Sequence, residues 1–238
     1  MTLREHFTRN GIDGCLTPEK EEKLIALSAY LTEYNKKVNL TAITDEDGIY
    51  AKHIADCALI LPFIRDGASV LDVGCGGGFP SLPVAILRDD VTVSAMDSTA
   101  KKLAFVTYAA EKLGLSNISV ICGRAEELCV PPLRGSFDVV TARAVSSLPV
   151  LLELCLPYVK KGGIFAAMKS DASELDASSY ASSVLGAEPG TAHPMKLVCA
   201  DCEAERCVIT FEKSRPTPAK YPRRYTQIRS GPLCNERS

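Results

Sequence analysis

Apolar residues recur along the chain in two rhythms, and the changes between them divide it into three parts. Over 16–34, Leu24, Ile25, Leu27, Leu31 and Tyr34 stand at helical spacing behind Thr17-Pro18-Glu19-Lys20, a capping hydroxyl followed by a proline suited to the first turn. The spacing predicts a helix. A polar, turn-rich run, Asn35-Lys36-Lys37-Val38-Asn39-Leu40-Thr41-Ala42-Ile43, leads to a second helical stretch over 45–63 through Ile49, Ile54, Leu59 and Ile60. From Ser69 onward strand-like and helix-like patterns alternate: strands over 70–73, 91–96, 118–122, 137–142 and 163–168, helices over 81–87, 99–113 and 148–159. Such alternation implies a parallel sheet with right-handed crossovers. The stretches 196–199 and 206–211 read as a closing antiparallel pair, after a helix near 172–185. The expected organisation is a helical cap over 1–65, an α/β domain over 66–213 and a basic tail over 214–238.

The first of these strands ends in Asp72-Val73-Gly74-Cys75-Gly76-Gly77-Gly78-Phe79-Pro80, an acid followed by clustered glycines. Glycine lets the backbone turn in ways closed to other residues and lets a ligand approach bare peptide, and a glycine turn opening a helix most often holds a nucleotide. Two cofactor classes compete. A dinucleotide fingerprint places its glycines first, third and sixth, but the sixth position counted from Gly74 is Phe79. The third glycine falls instead at the fifth position, Gly78, and Asp72 stands two residues before the first, as in methyltransferases that bind S-adenosylmethionine. The closing antiparallel pair also suits that architecture better than a dehydrogenase, which repeats its parallel half.

Ligands of open parallel sheets lie beyond the carboxyl ends of the strands, so the residues just after each strand are the candidates. Gly74 to Phe79 would face the methionine portion and the ribose. Asp97 can accept hydrogen bonds from both ribose hydroxyls, or cap the helix that follows, or do both. Gly123-Arg124-Ala125-Glu126-Glu127 is placed to read an adenine edge through main-chain groups, although an acidic pair opening a helix is also ordinary dipole complementation. Arg143, at a strand end otherwise small and apolar, needs a partner: a cofactor carboxylate, an RNA phosphate or a plain salt bridge. His53 and Asp56 share a helix face at i, i+3, either anchoring the cap or lining an entrance.

Composition narrows the surroundings. The 238 residues are 46% hydrophobic, enough for one substantial core, and the net charge of −2 confines any nucleic-acid surface to a local patch. That patch is sought between Lys213 and Ser230, where Lys213, Arg215, Lys220, Arg223, Arg224 and Arg229 occur without an acid, interleaved with Tyr221 and Tyr225 and kept extended by Pro216, Pro218 and Pro222. A solvated basic terminus fits the composition equally well. Neither a membrane span nor the apolar core of a signal peptide is present, which implies a cytoplasmic protein without a membrane partner. Ten cysteines in such a chain read as reduced thiols; Cys199-x-x-Cys202 with Cys207 has half the look of a zinc site, with His193 the nearest candidate fourth ligand, and no metal is expected.

The runs from Asn35 to Ile43, Lys52-His53-Ile54-Ala55-Asp56, Asp72 to Pro80, Asp97-Ser98-Thr99-Ala100-Lys101-Lys102 and Ala142-Arg143-Ala144, in this order, resemble the glucose-inhibited division protein B family. The similarity extends from about the first helix to Tyr221-Pro222-Arg223. It departs at Cys75, Ser81 and Ser170, and the hairpin from Cys199 to Cys207 is not part of it. The resemblance implies a class I S-adenosylmethionine-dependent methyltransferase: Rossmann-like, with a mostly parallel seven-stranded sheet, helices on both faces and an N-terminal helical cap. It implies methylation at N7 of a guanosine in 16S ribosomal RNA, with small-subunit RNA or the ribosomal particle as partner and no DNA. The implied cofactor contacts are Gly74, Phe79, Ala125, Glu126 and Arg143, with Asp97 as a further one; Arg143 is also the candidate catalytic residue. Two other readings compete, a ribosome-assembly factor that binds RNA on the same fold without turnover and an NAD-dependent oxidoreductase.

Overall fold

The computed structural model describes residues 1–143 and 146–234; Ala144, which closes the Ala142-Arg143-Ala144 run, and the end of the tail lie outside them. The strands are β1 Ser69–Val73, β2 Thr92–Asp97, β3 Ile118–Cys122, β4 Phe137–Arg143, β5 Val159–Lys169, β6 Thr191–Val198 and β7 Glu203–Glu212. They form one sheet in the order β3-β2-β1-β4-β5-β7-β6. β1 to β5 pair in parallel, while β7 runs antiparallel to both β5 and β6. Because the chain moves outward from β1 to β3 and then crosses back to β4, the carboxyl ends of β1 and β4 meet at a reversal of strand order, where a crevice opens.

The sequence pattern finds every strand but shortens three, β5, β6 and β7. β6 begins at Thr191, five residues before the expected start, because Pro194 sits inside it. A proline is tolerated there because β6 is the outer strand of the sheet, so one missing donor breaks no central ladder. β5 starts at Val159 because the helix before it stops at Cys155 and a 3-10 turn, Leu156–Tyr158, carries Pro157. The helix near 172–185 is confined to Ser179–Leu185.

The cap is joined to the sheet domain by apolar contact. Its long helix, Pro18–Asn35, starts where Thr17 Oγ1 accepts from the Lys20 amide at 3.3 Å. Leu24, Leu27 and Leu31 are fully buried on its inner face, each worth about 1.5–3 kcal/mol. Tyr34 lies 5.2 Å from Phe105, between ring centroids, on the helix Ala100–Leu113. A further helix, Leu3–Arg9, was not anticipated, although Thr2 and Glu5 form a reciprocal capping box that is legible as Thr-x-x-Glu. The stretch expected to be one helix over 45–63 contains a π-helical segment, Tyr50–Ala55, between short α-helical pieces Glu46–Ile49 and Asp56–Ala58. This changes which side chains share a face, and His53 and Asp56 do not pair with each other but meet on a common arginine.

The tail departs most from expectation. It is not an extended basic arm: it packs across the domain and ends in a helix, Tyr225–Ser230, that buries Ile228. Lys213 is 2% exposed, its ammonium donating to the carbonyls of Leu156 and Leu185 at 2.9 and 2.8 Å. Arg223 donates to both oxygens of Glu153, a carboxylate with no solvent exposure. Arg134 holds the carbonyls of Thr217 and Tyr221. Arg215, Lys220, Arg224 and Arg229 remain exposed.

Removing Arg223 strands a buried charge, so Arg223→Ala is expected to lower unfolding free energy by about 2–4 kcal/mol in urea titration. The exposed neighbour should behave differently, with Arg224→Ala staying within about 0.5 kcal/mol of the unaltered protein.

Candidate active site

A cavity of about 580 Å³ opens beyond the carboxyl ends of β1, β2, β3 and β4. All six residues singled out in the sequence line it: Gly74, Phe79, Asp97, Ala125, Glu126 and Arg143. The glycine turn forms its floor. Gly76 has φ +57°, and its amide donates to Asp97 Oδ2 at 3.0 Å. Gly78 has φ +84°, and a Cβ there would lie 2.7 Å from Leu82, so the turn approaches the following helix as only glycine allows. Asp72, behind the turn, is 1% exposed and accepts from the backbone and hydroxyl of Ser81, while its Oδ1 has no partner. Burial pushes its pKa up to about 6.

The helix Ala100–Leu113 has Thr99, not Asp97, as its N-cap residue and no side-chain capping bond; Asp97 instead makes a turn with Thr99 and keeps capacity for another role. Oδ1 accepts from the Thr99 amide at 2.8 Å and Oδ2 from Gly76, which leaves a lone pair on each oxygen toward the cavity. Beside it, Tyr158 Oη donates to the carbonyl of Ala125 at 2.6 Å and fixes the loop after β3. Glu126 pairs with Arg124, whose guanidinium lies over the Tyr225 ring at 4.6 Å.

Arg143 has protein partners. Its guanidinium donates to Asp56 Oδ2 at 3.1 Å, to the carbonyl of Lys52 at 3.0 Å and to His53 Nδ1 at 3.2 Å. Asp56 also accepts from Arg206 Nε at 2.7 Å, so one carboxylate is shared by two arginines. Because a guanidinium only donates, His53 Nδ1 is the acceptor, which assigns the proton to Nε2 and makes it the donor to Thr41 Oγ1 at 2.7 Å. Desolvation first, and the Arg143 charge second, push the His53 pKa down to about 4; the imidazole is neutral and stacks on Phe79 at 4.9 Å.

Several lining residues were not anticipated: Leu40 and Thr41 from the cap and Tyr225 from the tail. The first two come from the turn-rich run Asn35 to Ile43, which carries part of the family resemblance but was assigned no site residue. Asn35 holds that run, accepting from the amides of Leu40 and Thr41 and donating to the carbonyl of Thr41. All ten cysteines are free; Cys75, which lines the cavity, is 2% exposed and burial pushes its thiol far up. Cys199 and Cys202 close the β6–β7 hairpin, whereas His193 pairs with Thr210. Among the described residues no group of three or more His, Cys, Asp or Glu is arranged to hold a metal ion, and no helix is long and apolar enough to cross a membrane.

The sheet order, its single reversed strand and the glycine turn define the class I methyltransferase fold. Solved structures agree on the fold: precorrin-6y C5,15-methyltransferase from Geobacter metallireducens superposes with a TM-score of 0.52 at 14% identity, covering 74% of this chain and 92% of that one. TYW2 of M. jannaschii, solved in complex with AdoMet, gives 0.52 at 16% identity over 63% of this chain and 72% of that one. Within the class, the sequence profile of rRNA small subunit methyltransferase G (GidB) matches residues 20–198, and the chain belongs to this family. Ribosomal RNA small subunit methyltransferase G of Acetivibrio thermocellus is 42% identical, over 94% of this chain and 93% of that one. The Staphylococcus aureus protein of the same name is 40% identical over 98% of each.

The neutral His53 gives a pH signature. Its folded pKa lies below the unfolded value of about 6.5, so the unfolded chain binds the proton more readily and His53 removes stability as pH falls from about 6.5 toward about 4. His53→Gln should flatten that part of the stability profile, read as a smaller difference in urea midpoint between pH 7 and pH 5.

Proposed function

We propose that this protein binds S-adenosylmethionine in the 580 Å³ cavity and transfers its methyl group to N7 of a guanosine in small-subunit ribosomal RNA, free or within the particle, in the cytoplasm. Family membership and the names of the relatives support the reaction class and the RNA. The observation that carries the cofactor is Asp97: both oxygens are oriented by backbone amides and both keep acceptor capacity toward the cavity, as a vicinal diol requires. Gly74 and Phe79 are assigned to the methionine end, Ala125 and Glu126 to the adenine end.

The bound cofactor would supply a methyl on a positively charged sulfur; the N7–methyl bond forms as the methyl–sulfur bond breaks, and the charge passes to the purine. Guanine N7 offers an in-plane lone pair without a proton, so the protein has no proton to remove. Its work is alignment and exclusion of water, a proximity effect that can supply several kcal/mol. Phe79, with His53 stacked on it, and Leu40 from the cap give the cavity its dry walls. Arg143, tied to Asp56 and His53, is assigned a positioning role at the methionine end. Cys75, buried and protonated, is no candidate nucleophile.

Asp97→Asn is expected to weaken binding of S-adenosylhomocysteine roughly 10- to 100-fold in calorimetry, the worth of hydrogen bonds to a charged acceptor. Unchanged affinity would remove Asp97 from the site. Mass mapping should find N7-methylguanosine lost from small-subunit RNA of cells lacking the gene and restored by the unaltered protein. RNA binding without any cofactor signal would favour the assembly-factor reading instead.

A further inference from the structure

A second cavity, of about 510 Å³, lies on the same edge of the sheet. It opens where β5 ends, at Met168 and Lys169, and where the antiparallel β7 enters that edge, at Arg206 to Val208. His53 and Arg143 line both cavities, so the two adjoin at these side chains. The strand order therefore sets out a row: the assigned adenine end beyond β3, ribose beyond β2, methionine beyond β1 and β4, and then this cavity beyond β5 and β7. Its lining divides by chemistry. Leu59, Met168, Met195 and Val208 offer apolar and thioether surface, while Lys52 and Lys169 are cations at its rim.

We propose that this second cavity receives the acceptor nucleotide, with the guanine face against the two methionines and its flanking phosphates at Lys52 and Lys169. The inference rests on the reading of the first cavity as the S-adenosylmethionine site, because methyl transfer brings the acceptor atom to within about 3–3.5 Å of the methyl carbon. Only a neighbour of the assigned methionine end meets that demand, and the two cavities adjoin there. A planar, polarizable base fits thioether and aliphatic surface, and soft methionine side chains adapt to its outline. The cations differ in their availability. Lys169 is held by Glu174 at 2.7 Å and Arg206 by Asp56, whereas Lys52 is exposed and has no ion pair among the described residues. Only its backbone carbonyl is used, by Arg143. Lys52 is therefore the side chain that can meet a phosphate without first releasing an acid.

Two substitutions test this, each with S-adenosylhomocysteine affinity measured beside methylation of small-subunit RNA. Lys52→Gln is expected to raise KM for RNA roughly threefold to tenfold and to reduce the slope of log KM against log salt by about one, as loss of a single phosphate contact does. Met195→Trp fills the cavity and is expected to lower kcat/KM for RNA by about tenfold or more while S-adenosylhomocysteine binds as before. Lys161→Gln, at the opposite end of β5 and also exposed, serves as the control and should change neither quantity. An unchanged KM and salt slope in Lys52→Gln overturns the proposal, and so does an equal effect of Lys161→Gln. That readout holds even if Met195→Trp does not fold. Loss of S-adenosylhomocysteine binding in Lys52→Gln would assign the cavity to the cofactor and overturn it as well. If the unaltered protein binds no S-adenosylhomocysteine, the reading of the first cavity fails and this one falls with it; if it binds and methylates while the variants behave normally, only the acceptor site is wrong.

Discussion

One buried carboxylate ties the parts of this molecule together. Asp56, with 7% of its side chain exposed, accepts from Arg143 at the end of β4 and from Arg206 on β7. An ionised group so little hydrated persists only with charged or hydrogen-bonded partners in good geometry, and here each oxygen has its own arginine. The carboxylate belongs to the cap and the arginines to the sheet, so the bond fixes the π-helical segment above the crevice. His53 is carried to the cavity by the same geometry. Without that attachment Phe79 would lose its stacked ring.

The basic tail obeys the same rule with the charges reversed. A lysine and an arginine that look on paper like phosphate ligands are spent inside: Lys213 closes the unpaired carbonyls left by two helical segments, and Arg223 neutralises Glu153. Helix ends generate unsatisfied carbonyls, and a buried ammonium with three donors satisfies several at once. The cost shows in its acidity, since burial pushes the Lys213 pKa down to about 7. What remains for solvent is a smaller set, Arg215, Lys220, Arg224 and Arg229, on a segment whose position is set by packing. Anchoring also brings Tyr225 to the wall of the first cavity, under Arg124, so cofactor pocket and tail share a residue.

The parts legible in the sequence are those written in short-range chemistry. Alternating rhythms revealed the sheet, because strand and helix periods are local, and the glycine spacing marked the turn, because φ at Gly76 and Gly78 is a property of single residues. The six candidate residues meet at one cavity because an open parallel sheet puts all its strand ends on one edge. Partners across the fold were not legible. Nothing in Arg143 announces Asp56, 87 positions away, nor in Arg223 the acid at Glu153, 70 positions away. A charged residue in an apolar context says that a partner exists without saying which. The π-helical segment was hidden for another reason: its extra residue per turn preserves the apolar rhythm closely enough to read as an ordinary helix while rotating His53 relative to Asp56.

The charges around His53 and Arg143 fit a reaction that moves a positive charge without moving a proton. A methyl group leaving a cationic sulfur for a neutral ring nitrogen carries its charge along, so the total in the site is the same before and after. A titrating group beside that path would couple the transfer to pH, and a second cation would oppose the charge at both ends. At His53 and Arg143 the structure limits both. His53 is held neutral well below physiological pH by burial and by Arg143, and Arg143 is paired with Asp56, a carboxylate it shares with Arg206. Asp97 and Glu126, acids that line the cavity, lie toward the ends assigned to the ribose and the adenine. A conventional histidine base in place of His53 would need a higher pKa and a free ring nitrogen facing the acceptor. Here Nδ1 is taken by Arg143 and Nε2 by Thr41, so the imidazole is part of the wall, and the proton it carries has nowhere to go.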